Sequence, residues 1–72
     1  MYMDPTIPIP EGMPAYIYGD LEDLQKLYDE GDDLTWDVRW EGAESGIKEA
    51  CIDGKISEGD LRQLFRRYGL GD

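Results

Sequence analysis

Ten carboxylates crowd into one third of this chain. Asp20, Glu22, Asp23, Asp29, Glu30, Asp32, Asp33, Asp37, Glu41 and Glu44 stand between positions 20 and 44, opposed only by Lys26 and Arg39. Ten acids less two bases leave −8 over those residues. Trp36 and Trp40 lie inside the run. Carboxylates at this density attract basic surfaces over a distance and speed encounter, and aromatic side chains among them would lengthen the stay. The chemistry is therefore recognition of a basic protein surface. Its expected contacts are Asp29, Glu30, Asp32, Asp33, Asp37 and Glu41, with Trp36 or Trp40 as anchor. The plainer alternative is a solvated face that keeps the chain from aggregating.

Catalysis has little to draw on. The chain has no His, so no side chain with an ordinary pKa near neutrality is present. Ser45 and Ser57 have no base to activate them, and neither a nucleophile elbow nor a phosphate-binding glycine loop occurs. A chain of 72 residues offers little room for a dry pocket that could raise one carboxyl of a pair. No catalytic residue, cofactor or metal site is expected. Cys51 is the only cysteine, which rules out an internal disulfide and a Cys/His zinc site. A small apolar filler in a reducing, cytoplasmic setting is its expected role.

One stretch does invite a metal reading. Asp53-Gly54-Lys55-Ile56-Ser57 resembles the second half of an EF-hand calcium loop. In that register Gly54 takes the sixth position and Ile56 the eighth, and Asp53, Ser57 and Asp60 stand at the fifth, ninth and twelfth. The resemblance implies a divergent helix–loop–helix calcium module as an alternative function. The sequence departs from the pattern at three places: Glu49 at the first position, Cys51 at the third and Asp60 in place of a long bidentate Glu. The same residues also spell a turn followed by a helix cap.

These side chains must be carried by a small scaffold. Residues 1–14 hold all four prolines and read as an extended arm, on which Ile7 and Ile9 could pin the chain across the domain or a partner. Residues 15–72 read as one globular domain. Residues 15–18, β-branched and aromatic and followed by Gly19, predict a short strand. Asp20 then caps a helix with Leu21, Leu24, Leu27 and Tyr28 on one face and Gly31 at its end. Leu34, Trp36, Val38 and Trp40 alternate with polar residues and predict a second strand. A continuous helix from Asp33 to Ile52 fits Trp36, Trp40, Ala43 and Ile47, but Gly42 and Gly46 would each cost it about 1 kcal/mol. A fresh helix from Ala43 carries Ala43, Ile47, Ala50 and Cys51 inward, with Glu44 and Lys48 paired outside.

The last helix is the clearest element. Ser57 and Asp60 form a variant capping box, Ile56 precedes the cap, and Leu61, Leu64, Phe65 and Tyr68 share a face that Gly69 terminates. Arg62, Arg66 and Arg67 suit the dipole at its C-terminal side and can pair with acids such as Glu58. The expected fold is thus α+β, in the order β-α-β-α-α, a short two-stranded sheet packed on three helices. An all-α three-helix bundle is the alternative.

The formal net charge of −10 disfavours direct contact with nucleic acid or anionic membranes. No basic segment followed by an apolar run marks a leader, and no stretch reaches the ~20 apolar residues of a membrane span. The sequence therefore predicts a small, acidic, non-enzymatic cytoplasmic protein that inhibits or modulates a partner by occupying its basic, nucleic-acid-binding surface. In size and charge it resembles small acidic inhibitors of defence nucleases, anti-CRISPR proteins among them. An adaptor domain, or one that forms a homodimer, is a further alternative.

Overall fold

Gly42 and Gly46 do not interrupt the chain. In the computed structural model, which describes residues 1–69, one helix runs through both. The elements are α1 (Ala15–Glu30), α2 (Asp33–Ile52) and α3 (Glu58–Arg67). Among the described residues there is no strand. The expected α+β fold is therefore wrong, and the three-helix alternative describes the molecule.

The second predicted strand fails because its alternation is compatible with two periods. On a strand, Leu34, Trp36, Val38 and Trp40 would share one face. On α2 they separate: Trp36 and Trp40 are 2% and 7% exposed, whereas Leu34 and Val38 are 83% and 69% exposed. The inward stripe continues through Ala43, Ile47 and Ala50 at spacings of four and three residues. Two glycines cost about 2 kcal/mol, whereas burying a tryptophan stabilises by several kcal/mol at about 25 cal/mol per Å². Burial wins. Asp32 starts the helix, its carboxylate accepting the Thr35 N–H at 3.1 Å.

The first predicted strand is the opening turn of α1. Pro14 precedes it in an extended conformation, and its carbonyl accepts the Ile17 N–H at 3.1 Å. Ile17, Leu21 and Leu24 are buried in one stripe, so the helix starts a turn earlier than Asp20. Gly19 sits at an exposed point inside the helix and terminates nothing. Gly31 ends α1 as expected, at φ 74° with its N–H on the last carbonyls. Only Gly31 and Asp32 separate α1 from α2.

At α3 sequence and structure agree. The Ser57 hydroxyl accepts the Asp60 N–H at 3.0 Å, and the Asp60 carboxylate accepts the Ser57 N–H at 3.5 Å. Leu64 and Tyr68 are buried and Leu61 and Phe65 half-buried. Ser57→Ala is expected to cost about 1 kcal/mol. A lower urea midpoint at unchanged slope is the signature to look for.

Both α1 and α3 pack against α2, which is the axis of the molecule. An aromatic cluster joins α2 to α3. Trp40 lies 4.9 Å from Tyr68 between ring centroids, 6.0 Å from Trp36 and 6.1 Å, edge-on, from Phe65. Residues 3–13 fold back over this core. Met3, Pro10 and Met13 are the buried residues of the arm, while Ile7 is half-buried and Ile9 exposed. Tyr18 of α1 donates its hydroxyl to the Pro10 carbonyl at 2.7 Å and accepts the Met13 N–H at 3.2 Å. The arm is fixed from α3 as well. The Asp4 N–H donates to the Arg67 carbonyl at 2.7 Å, the buried Arg67 guanidinium donates to the carbonyls of Asp4 and Ile7, and Gln63 donates to that of Pro8.

Candidate protein-docking surface

The acidic run is divided by the bend between two helices. Asp29 and Glu30 close α1 while Asp32 and Asp33 open α2, so four carboxylates gather at one corner. The two pairs differ in their local energetics. Asp33 lies in the first turn of α2, where the dipole favours it, and Asp32 caps that turn. Asp29 and Glu30 stand at the negative end of α1, whose last turn holds no basic residue; Lys26 lies one turn earlier and forms no ion pair with either among the described residues. Asp29 accepts a hydrogen bond from Gln25 at 2.9 Å. None of the four belongs to an ion pair among the described residues.

Asp33, Asp37 and Glu41 continue the acidic surface as one ridge along α2 at four-residue spacing, all three exposed. On the α1 side Asp23 pairs with Arg39 at 3.6 Å, across a shallow groove of about 280 Å³ lined by Asp20, Val38 and Gly42. Glu44 pairs with Lys48 at 3.1 Å. On the ridge itself Asp37 pairs with the amino group of Met1 at 3.2 Å, so unpaired negative charge is densest at the corner and is partly neutralised along α2.

The two tryptophans are not part of that surface. Trp36 and Trp40 point into the core, where they stack on each other and pack at a tilt against Tyr68, so neither is available as an anchor in the folded chain. The apolar side chains beside the acids are Leu34 and Val38, one turn apart on the outer side of α2. Sequence reading missed them because apolar residues within an alternating pattern were assigned inward. The four-residue step from Leu34 to Val38, two positions out of phase with Trp36 and Trp40, is the signal that separates the two sets. The Trp36 indole N–H is buried with no acceptor among the described residues.

The residues of the calcium-loop register are divided between α2, the α2–α3 connection and α3. The register's first four positions, residues 49–52, are the last turn of α2, which leaves residues 53–57 as the connection to α3. Ser57 and Asp60 are committed to each other in the capping box. Among the described residues no three acidic or Cys side chains come together as a metal ion would need.

The basic residues at the other end take separate roles. Arg62 pairs with Glu58 at 3.4 Å, as its spacing predicts. Arg67 turns inward to main-chain carbonyls and lies 5.6 Å from the Tyr68 ring, instead of meeting an acid. Asp4, on the arm above it, accepts from the Thr6 hydroxyl at 2.6 Å and the Thr6 N–H at 3.0 Å. These bonds hold its carboxyl below the ordinary range, with the Arg67 charge a smaller contribution.

No helix among the described residues is long and apolar enough to cross a membrane. No family model matches the chain, and no curated protein or solved structure matches it either.

Proposed function

We propose that this chain is a non-enzymatic acidic binding protein that modulates another protein by occupying its basic surface, one of the kind that receives nucleic-acid phosphates. The observation that carries this reading is the α1–α2 corner. Asp29, Glu30, Asp32 and Asp33 meet there without ion-pair partners among the described residues, and Asp29 and Glu30 stand where helix energetics oppose them. Acidic charge at a helix C-terminus costs a few tenths of a kcal/mol, which contact with a basic partner would offset. The Asp37 and Glu41 ridge extends the surface along α2, and Leu34 and Val38 add apolar area beside it. Steered encounter with a basic groove follows from the net charge, and specificity from the shape of the corner.

The test reverses charge without removing the helix cap. Asp29→Lys, Glu30→Lys and Asp33→Lys together change the charge by six and leave Asp32 on Thr35. Wild-type chain used as bait is expected to retain a basic protein at low salt and release it near ~0.5 M, where the screening length falls to a few ångströms. Nucleic acid should compete for that protein, and the triple variant should bind it at least about tenfold more weakly. Equal retention by a folded triple variant, checked by circular dichroism, would sink the proposal.

A further inference from the structure

α2 carries a second stripe, opposite the one that builds the core. Leu34, Val38, Glu41, Ser45, Lys48 and Ile52 follow one another at spacings of four, three, four, three and four residues. All six are exposed. A repeat of this kind places its members in one line on a helix, in the register that helices use to pack on one another. At 1.5 Å per residue the line from Leu34 to Ile52 is about 27 Å long. Its apolar members are the three most exposed large hydrophobic residues described: Leu34 at 83%, Val38 at 69% and Ile52 at 84%. Scattered apolar residues on a surface need no explanation; three in helical register along the face opposite the core do.

The polar members say what would cover the line. The Lys48 ammonium is turned to Glu44 at 3.1 Å and lies 5.9 Å from the Phe65 ring centroid, so its charge is engaged at the side. Glu41 remains in the seam, with Asp37 and Glu49 exposed on its shoulders. Ser45 is small, and Gly42 beside it has open space where a Cβ would stand. The seam is thus apolar at both ends and acidic in the middle, with room there for a long side chain.

The geometry points to one occupant: an amphipathic helix of another protein, apolar along one line, with Lys or Arg at its centre and flanks, laid along the outer face of α2. This rests on the reading of the partner as basic, and adds the element it presents and the line it follows. A second copy of this chain fits less well. It would bring another −10 of charge against the seam and set its own Asp37, Glu41 and Glu49 against the same acids.

Fluorescence anisotropy on the full chain tests it, with two labelled synthetic peptides as probes. Both contain only Leu and Lys over about 20 residues, enough to span the seam as a helix. One places its leucines at four–three spacing; the other has the same composition with the leucines spread around the helix. The facial peptide is expected to bind at least about tenfold more tightly than its isomer, and Leu34→Ser with Val38→Ser should remove at least about tenfold of that affinity. Ile52→Ser alone should weaken it less. Equal binding of the two peptides overturns the inference, as does unchanged binding by the serine variants. If the Asp29, Glu30 and Asp33 reversal still weakens both peptides in that case, the basic-partner reading stands and only the seam falls. Undiminished affinity in the reversal variant overturns the underlying reading itself. Sedimentation supplies the last arm. Self-association that grows with salt and disappears in Leu34→Arg would make the occupant a second copy, and the inference would be wrong.

Discussion

Trp40→Ala is expected to leave the chain close to the edge of unfolding at room temperature. Trp40 touches the aromatic cluster from both sides, with Tyr68 at 4.9 Å, Trp36 at 6.0 Å and Phe65 at 6.1 Å between centroids. Its removal opens a cavity at the junction of α2 and α3, and truncations of this kind cost about 3–5 kcal/mol. A single domain of this length holds roughly 4–11 kcal/mol in total, at about 0.05–0.15 kcal/mol per residue. One side chain therefore accounts for a large share of the whole. Urea titration followed by far-UV circular dichroism should show the midpoint falling by roughly a third or more. Trp36→Phe makes the informative companion. It keeps most of the buried ring area and discards an indole N–H that has no acceptor among the described residues, so it should cost less than Trp40→Phe. The reverse order would mean that the Trp36 N–H has a partner in solution.

The opposite sign is expected when the helical glycines are filled. Gly19 lies inside α1, and Gly42 and Gly46 lie inside α2. A Cβ built at any of them meets nothing within 4 Å. The substitution to alanine therefore adds no clash and removes only the entropy that glycine loses in a helix, about 0.8–1 kcal/mol at each site. Gly19, on α1, should act independently of the other two, whereas Gly42 and Gly46 stand one turn apart on α2 and their effects can couple. Gly19→Ala, Gly42→Ala and Gly46→Ala together should raise stability by about 2–3 kcal/mol, and a domain of this size gains several degrees in melting temperature per kcal/mol. Gly31 is the contrasting control, because its φ of 74° is a conformation that alanine adopts only with strain. A triple variant that melts lower than wild type would mean that α2 is not one continuous helix.

The fold was legible where several local signals coincided. Ser57, Asp60, the spacing from Leu61 to Tyr68 and the glycine after it all describe one helix, and α3 is that helix. Gly31 likewise marked the end of α1. Residues 15–18 were harder. Their composition favours a strand and Gly19 looks like a boundary, yet Ile17 stands four residues before Leu21 and belongs to its stripe. The stretch from Leu34 to Trp40 was ambiguous in principle, because positions two apart alternate on a strand while positions four apart align on a helix. What decides between them is long-range: Tyr68 and Phe65 offer the tryptophans an aromatic seat, and no local pattern reports that. The acidic surface was legible as charge alone. Its division at the helix corner, and the replacement of Trp36 and Trp40 by Leu34 and Val38 as the exposed apolar element, depend on which way α2 faces.

The contact between Arg67 and residues 4–7 also sets an order of events. It joins positions some 60 residues apart, so the loop it closes is nearly the length of the chain. Contacts of such high sequence separation form late, since the entropy of closing the loop must be met before the contact returns anything. During synthesis the early residues exist long before Arg67 is made, so residues 10–13 can already meet Tyr18 of α1 while residues 4–8 have no partner until α3 is complete. Until then Met3 has no core to enter and the guanidinium stays hydrated. The helices can assemble first, from the short α1–α2 and α2–α3 connections, and the arm then seals them. A nascent chain halted before α3 would lack Phe65 and Tyr68, against which the tryptophans pack, and would leave more of Trp36 and Trp40 exposed to aggregation.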